Sequence, residues 1–172
     1  MGGEGNRGAG RVKVVEGTGI KKFESAVIHR WPFGRNAGDE KPGAAKQFLI
    51  WRALNFRATR HDLFDSGEYI PLSASSEVQQ HVCAFARRSK EQQTIVIAPR
   101  LVFGLARGKE TPPIGEEIWK ENLLRLPQAR PGDLFRNVFT REMAPVVEKD
   151  GTVALELRQA LKSFPVALLE KI

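Results

Sequence analysis

From residue 69 onward the chain repeats one pattern: a short apolar-rich run, then a turn signal, at intervals of roughly 8–15 residues. This rhythm constrains the fold more than any other feature. Tyr69–Leu72, His81–Arg87, Thr94–Ala98, Asn122–Leu126, Leu134–Thr140, a stretch around Pro145–Glu148, Thr152–Leu157 and Pro165–Leu169 all read as strands. In the second, Val82, Ala84 and Ala86 point one way, while His81, Cys83, Phe85 and Arg87 point the other. Thr94–Ala98 is apolar on both faces, which places it centrally in a sheet. Pro71 cannot donate to a ladder, so its strand belongs at an edge. Residues 88–93 read as a polar hairpin connection, and Asp150-Gly151 is a strong hairpin signal. Residues 104–118, with Pro112, Pro113 and Gly115 inside, read as a loop, and residues 158–163 as a short turn or helix. Many short strands at this spacing predict a mainly β chain folded as an antiparallel sandwich or barrel.

Upstream of the strands the texture differs. Ala44–Arg60 contains no Gly or Pro and is rich in helix formers. Leu49, Ala53, Phe56 and Arg60 recur at helical spacing, and Phe48, Ile50 and Leu54 widen the stripe. An amphipathic helix with about half its surface buried is expected over 44–64, with a turn at Asp65-Ser66-Gly67. Residues 1–43 are Gly-rich at the start and Pro/Gly-punctuated at the end, so a disordered segment is expected there.

Composition excludes several function classes. The net charge of +7 is spread along the chain without a basic stripe, so nucleic acid is not the expected partner. Cys83 is the single cysteine, which excludes an internal disulfide and fits a reducing cytoplasm. No apolar h-region follows the first basic residues and no run is long enough to span a bilayer, so neither a signal peptide nor a membrane location is expected.

Motifs for chemistry are weak. Gly3, Gly5 and Gly8 match G-x-G-x-x-G, but no strand can precede them. The stretch from Gly104 to Glu110 resembles a phosphate loop but lacks one residue between its glycines, and Glu110 stands where a hydroxyl would hold Mg²⁺. His29, His61 and His81 have no metal-ligand spacing, so neither metal nor cofactor is expected. Asp62, Asp65 and Glu68 crowd a turn and Glu116-Glu117 are adjacent, which suits solubility rather than two opposed acids. Trp51, Trp119 and Phe135 are the aromatics available for stacking on a sugar.

Several segments, taken in order, resemble a known family: AKQFLIWRALNFRATRHDLFDSGEYIPL, HVCAFARR, TIVIAPRL, PPIGEEIW with LRLP, DLFRNVFT and FPVALL. Together they resemble the C-terminal end of maltooligosyl trehalose synthase, a glucosylmutase of the α-amylase clan, over residues 44–169. The resemblance implies an α-amylase-type C-terminal β-sandwich over 65–172, with 44–64 as the last helix of a catalytic barrel. It implies an activity that turns the reducing-end α-1,4 bond of a maltodextrin into an α,α-1,1 bond, in trehalose biosynthesis. That chemistry uses carboxylates on barrel strands far upstream, and no residue here matches one, so the chain alone is expected to be inactive. Residues 1–43 match nothing in the family, as expected of a truncated or frameshifted reading. Three roles follow: a structural module of the glucosylmutase, a stand-alone carbohydrate-binding sandwich, or a fragment complementing a separately encoded barrel. The expected partners are that barrel or maltodextrin. If no barrel covers the helix, Trp51, Ile50 or Phe48 is expected to be exposed as an apolar patch, with self-association through that face.

Overall fold

In the computed structural model of the chain, the described residues are 43–90, 92–106, 108 and 112–172. The expectation of disorder in 1–43 lies outside them, apart from Gly43. Helix α1 runs Ala44–Thr59, directly after Gly43 in a left-handed conformation (φ 95°). It stops at Arg60 (φ −124°, ψ 44°), and a single-turn helix α2 follows over His61–Asp65. The predicted helix over 44–64 is therefore two helices broken at Arg60.

Eight strands follow: β1 Glu68–Leu72, β2 Val82–Ser89, β3 Gln92–Pro99, β4 Leu123–Arg125, β5 Leu134–Asn137, β6 Met143–Lys149, β7 Thr152–Glu156 and β8 Ala167–Lys171. All pair antiparallel, in the order β1-β2-β3-β8-β5-β6-β7-β4. β3 lies between β2 and β8 and β1 lies at the end of the order, as β3's two apolar faces and Pro71 indicate. The eight-strand mainly β reading holds with shifted boundaries. The β2–β3 ladder reaches Ser89↔Gln92, so β2 and β3 take up most of the predicted connection 88–93. The fifth strand ends at Asn137 rather than Thr140, because Arg141 folds back to donate its N–H to the Asn137 carbonyl at 2.7 Å. At Asp150 and Gly151 both φ values are positive (49° and 71°), the geometry of a type I′ hairpin between β6 and β7.

The two layers of the sandwich are one continuous sheet. The first half of β6 pairs with β5 and the second half with β7, so the strand passes from one layer to the other. The seam between β1 and β4 is nearly closed by the chain just after β1. Ala74 bridges Leu124, Ser75 N–H donates to the Leu123 carbonyl at 2.8 Å, and Arg125 N–H donates to the Ser73 carbonyl at 2.9 Å. The predicted loop over 104–118 is partly helical: α3 spans Val102–Leu105 and α4 spans Gly115–Trp119. Helix α5, Leu157–Ala160, leads from β7 toward β8.

Strand alternation divides the apolar residues into two cores. Ile95, Ile97, Leu169, Phe135, Val146, Leu155 and Leu124 point inward and form the interior with Trp119. On the outer face of the same strands, Val96 and Leu168 pack with Phe139 and Phe164 beneath Phe48 and Phe56 of α1. The helix thus covers the outside of the β3–β8–β5 region.

Candidate functional site

Helix α1 has two different faces. Phe48 (2% exposed) and Phe56 (8% exposed) are buried on the sheet, flanked by Leu49 and Ala53. Phe48 and Phe164 meet edge-on with centroids 6.4 Å apart, and Phe139 and Phe164 stack at 5.3 Å. Of the three residues offered for an exposed apolar patch, Phe48 is therefore the one that does not take part. Its ring falls one residue before the Leu49 row and points into the outer core. Ile50 and Leu54 do remain exposed (44% and 58%), with Trp51 half-buried beside them. Three apolar side chains one turn apart thus form an uncovered stripe on the side away from the sheet.

The three sugar-stacking candidates do not come together. Trp119 and Phe135 are both fully buried, so neither ring has a free face for a pyranose. Trp119 closes the interior core and donates its indole N–H to the Pro113 carbonyl at 2.7 Å. Phe135 sits inward on β5. Trp51 alone retains an accessible ring, on the outer side of α1.

The acidic residues are engaged locally. Asp65 pairs with His61 at 2.9 Å, and Glu68 pairs with Arg88 at 2.8 Å. Glu116 joins Glu121 and Glu156 around Arg158, and Lys149 completes the network through Glu121 and Glu156. This network ties α4 to the end of β7 and holds the Glu156 and Glu121 carboxyls below the usual carboxylate range. Hydrogen bonding to Lys149 is the main cause for both. His81 faces the Leu101 carbonyl at 3.1 Å, while His29 lies outside the described residues. Among the described residues no group of His, Cys, Asp and Glu is arranged to hold a metal ion, and no helix is long and apolar enough to cross a membrane. In the stretch resembling a phosphate loop, Gly104 lies inside α3 and Gly108 takes a positive φ of 76°. Arg107, Lys109 and Glu110 lie outside the described residues.

Two concavities stand out. One, of about 660 Å³, opens beside α3 and α4 and is lined by Val78, Leu105, Ile114 and Ile118 with Glu77 and Glu117 at hand. The other, of about 420 Å³, lies where α1 meets β5 and β8, and arginines dominate its lining. Arg52 and Arg60 come from the helix, Arg136 from β5, Arg141 from the turn after it, and Glu170 from β8. Glu170 accepts from Arg60 through one oxygen and from Arg136 through the other (3.1 Å). Arg52 donates to the Val138 carbonyl through Nε at 3.2 Å and Nη2 at 2.7 Å. Nothing local in the sequence marks this cluster, because its members lie up to 118 residues apart, from Arg52 to Glu170, and the basic excess looks evenly spread.

No protein-family model matches the chain, and no curated protein matches it. Among solved structures, it is similar to a noncanonic maltogenic α-amylase, AmyB, from Thermotoga neapolitana, with a TM-score of 0.50 and 12% sequence identity. The match covers 77% of this chain and 26% of the amylase, so the chain spans about a quarter of that enzyme's length. At this identity the likeness establishes a shared fold: the chain has the β-rich architecture of a domain found in an α-amylase-family enzyme.

Proposed function

We propose that this chain is the C-terminal β-domain of an α-amylase-clan glucan-converting enzyme, most specifically a maltooligosyl trehalose synthase. Its role is to support a catalytic barrel and not to carry out the transglucosylation itself. The observation that carries this reading is the two-faced helix α1. It precedes β1 with only the single turn of α2 between them, packs Phe48 and Phe56 on the sandwich, and leaves Ile50 and Leu54 exposed and Trp51 half-buried on its other side. A barrel's last helix has to satisfy both conditions, with one side on the barrel and the other on the domain that follows. Two features support the non-catalytic role. The candidate carboxylates Glu68 and Glu116 are held in surface ion pairs, and Asp65 faces the His61 imidazole at 2.9 Å. A retaining mechanism, by contrast, requires two carboxyls facing each other across a substrate cleft.

The test is complementation. A maltooligosyl trehalose synthase barrel lacking its own C-terminal domain is mixed with this chain, and formation of non-reducing maltooligosyl trehalose is followed. Because the stripe on α1 also favours pairing of two copies, the barrel is added in excess. Restored activity together with a 1:1 complex supports the proposal. A stable barrel that neither binds the chain nor gains activity overturns it.

A further inference from the structure

We propose that the pocket beside α3 and α4 is a saccharide-binding site, with the side-chain amide of Asn122 as its central hydrogen-bonding group. No residue of α1 lines this pocket, so the site stands apart from the support role proposed above.

The Asn122 amide is the first argument. Asn122 is 8% exposed and lines the pocket of about 660 Å³. Its backbone is engaged on both sides: the N–H donates to the Trp119 carbonyl and the carbonyl accepts from the Leu157 N–H, each at 3.0 Å. Its side chain, with two donor hydrogens and an acceptor oxygen, has no partner among the described residues. Asn137, the other buried asparagine, differs. Its side-chain oxygen accepts from the Phe139 N–H at 2.9 Å, and its amide nitrogen donates to the Ala160 carbonyl at 3.5 Å. Leaving a buried amide unpaired is costly, and a fold that used Asn122 only for packing would fare better with leucine there. A ligand hydroxyl in the pocket would satisfy it.

The second argument sets the class of ligand. Val78 is 3% exposed, and Leu105, Ile114 and Ile118 are partly buried, so one wall of the pocket is aliphatic. Polar groups of both kinds stand beside it. Glu77 and Glu117 offer acceptors and Lys120 offers donors, and none of these three side chains makes an ion pair among the described residues. A charged ligand would meet both signs at once. A pyranose suits the whole set: its hydroxyls donate to carboxylates, accept from an ammonium and do both with an amide, while its C–H face packs on the aliphatic wall. The third argument is preorganisation. The Trp119 indole N–H donates to the Pro113 carbonyl at 2.7 Å and the Gly115 N–H to the Leu161 carbonyl at 2.9 Å, which fixes both ends of α4. The Leu123 N–H donates to the Ser75 hydroxyl at 2.9 Å, which ties the turn carrying Glu77 and Val78 to the start of β4. Walls set before the ligand arrives lower the ordering cost of binding.

The test titrates the ¹⁵N-labelled chain with maltotriose and cellotriose, with cyclohexylammonium as a cationic competitor for the same walls. The readouts are calorimetry and the side-chain amide resonances of Asn122, assigned by their loss in Asn122→Leu. A saturable shift of those resonances with a sugar is expected. The pocket points to a saccharide, whereas the choice of maltotriose rests on the proposed function. Binding of cellotriose alone would therefore support the pocket and count against that function. Asn122→Leu should weaken binding by about tenfold or more while leaving the unfolding midpoint without sugar unchanged or raised, because an unpartnered amide adds nothing to the free protein. Glu117→Gln makes the same point from an exposed position, and it should weaken binding severalfold in a protein of unchanged midpoint. The proposal is overturned if neither sugar binds saturably, or if cyclohexylammonium binds more tightly than both. Unchanged sugar binding in a folded Asn122→Leu protein also overturns it, as does unchanged binding in Glu117→Gln should the first variant not fold.

Discussion

Replacing Phe48 with alanine tests whether α1 is an integral part of this β-domain or an appendage lying on it. Phe48 is 2% exposed and packs on Phe164 and the neighbouring outer core. Removing its ring gives up roughly 150 Å² of buried apolar surface, about 4 kcal/mol at 25 cal/mol per Å². A compact unfolded chain lowers this toward 3 kcal/mol, the lower end of the range for buried Phe→Ala changes, about 3–5 kcal/mol. Leu54 is the internal control. It lies on the same helix but is 58% exposed, so Leu54→Ala should change stability by less than about 0.5 kcal/mol, helped by alanine's helix propensity. Urea unfolding followed by far-ultraviolet circular dichroism reports the whole domain, and the difference in fluorescence between the protein and its Trp51→Phe variant, which leaves the other two tryptophans in place, reports the helix. With an m-value of about 1.5 kcal/mol per M, Phe48→Ala should lower the midpoint by about 2 M, with both probes moving together. Equal effects of the two substitutions would refute the packing of α1 on the sheet. A fluorescence transition well below the dichroism transition would show that the helix detaches on its own.

Two further predictions concern a glycine and an ion network. A Cβ at Gly67 would lie 2.2 Å from the Leu63 carbonyl oxygen and 3.0 Å from that of Arg88, both backbone atoms that cannot turn away. Gly67→Ala should therefore destabilise the domain by about 1–3 kcal/mol, and an unchanged thermal midpoint would refute the close approach of α2 to β2. Glu156 has its carboxyl held below the ordinary value, first by hydrogen bonding to Lys149, against the opposing effect of burial, and further by Arg158. A depressed folded-state pKa adds stability above the unfolded value of 4.5, and that stability is lost as the pH falls through the folded value. Glu156→Gln should thus be less stable than the parent at neutral pH, and the gap should narrow as acid is added below about pH 4.5. A gap independent of pH would show that the charge of Glu156 contributes nothing.

Much of the fold was legible in the residues because a half-buried strand leaves a local record. The period of two in Val82–Arg87 assigned the correct inward face, and the two apolar faces of Thr94–Ala98 placed that strand in the middle of the sheet. Asp150-Gly151 marked its own hairpin, because few other residue pairs accept two successive positive φ values. The short helices α3 and α4 left no such record. Each is about one turn long, and tertiary contacts hold α4 in place, such as the Gly115 N–H donating to the Leu161 carbonyl at 2.9 Å.

The candidate sites depended on distance along the chain. An aromatic residue looks the same in a sequence whether its ring meets solvent or fills a core. Only the packing of the layers showed that Trp119 and Phe135 are interior and that Phe48 belongs to the outer core. The arginine-lined concavity draws on residues 52, 60, 136, 141 and 170, which no window of sequence contains together. The sequence by itself determined which segments are strands, which side of each strand seeks apolar neighbours and where several turns fall, because those depend on local periodicity and backbone sterics. The tertiary structure alone decided the strand order, the passage of β6 between layers, the two-faced setting of α1 and the convergence of charge beside it. These depend on long-range pairings, in which chain segments distant in sequence come to share one surface.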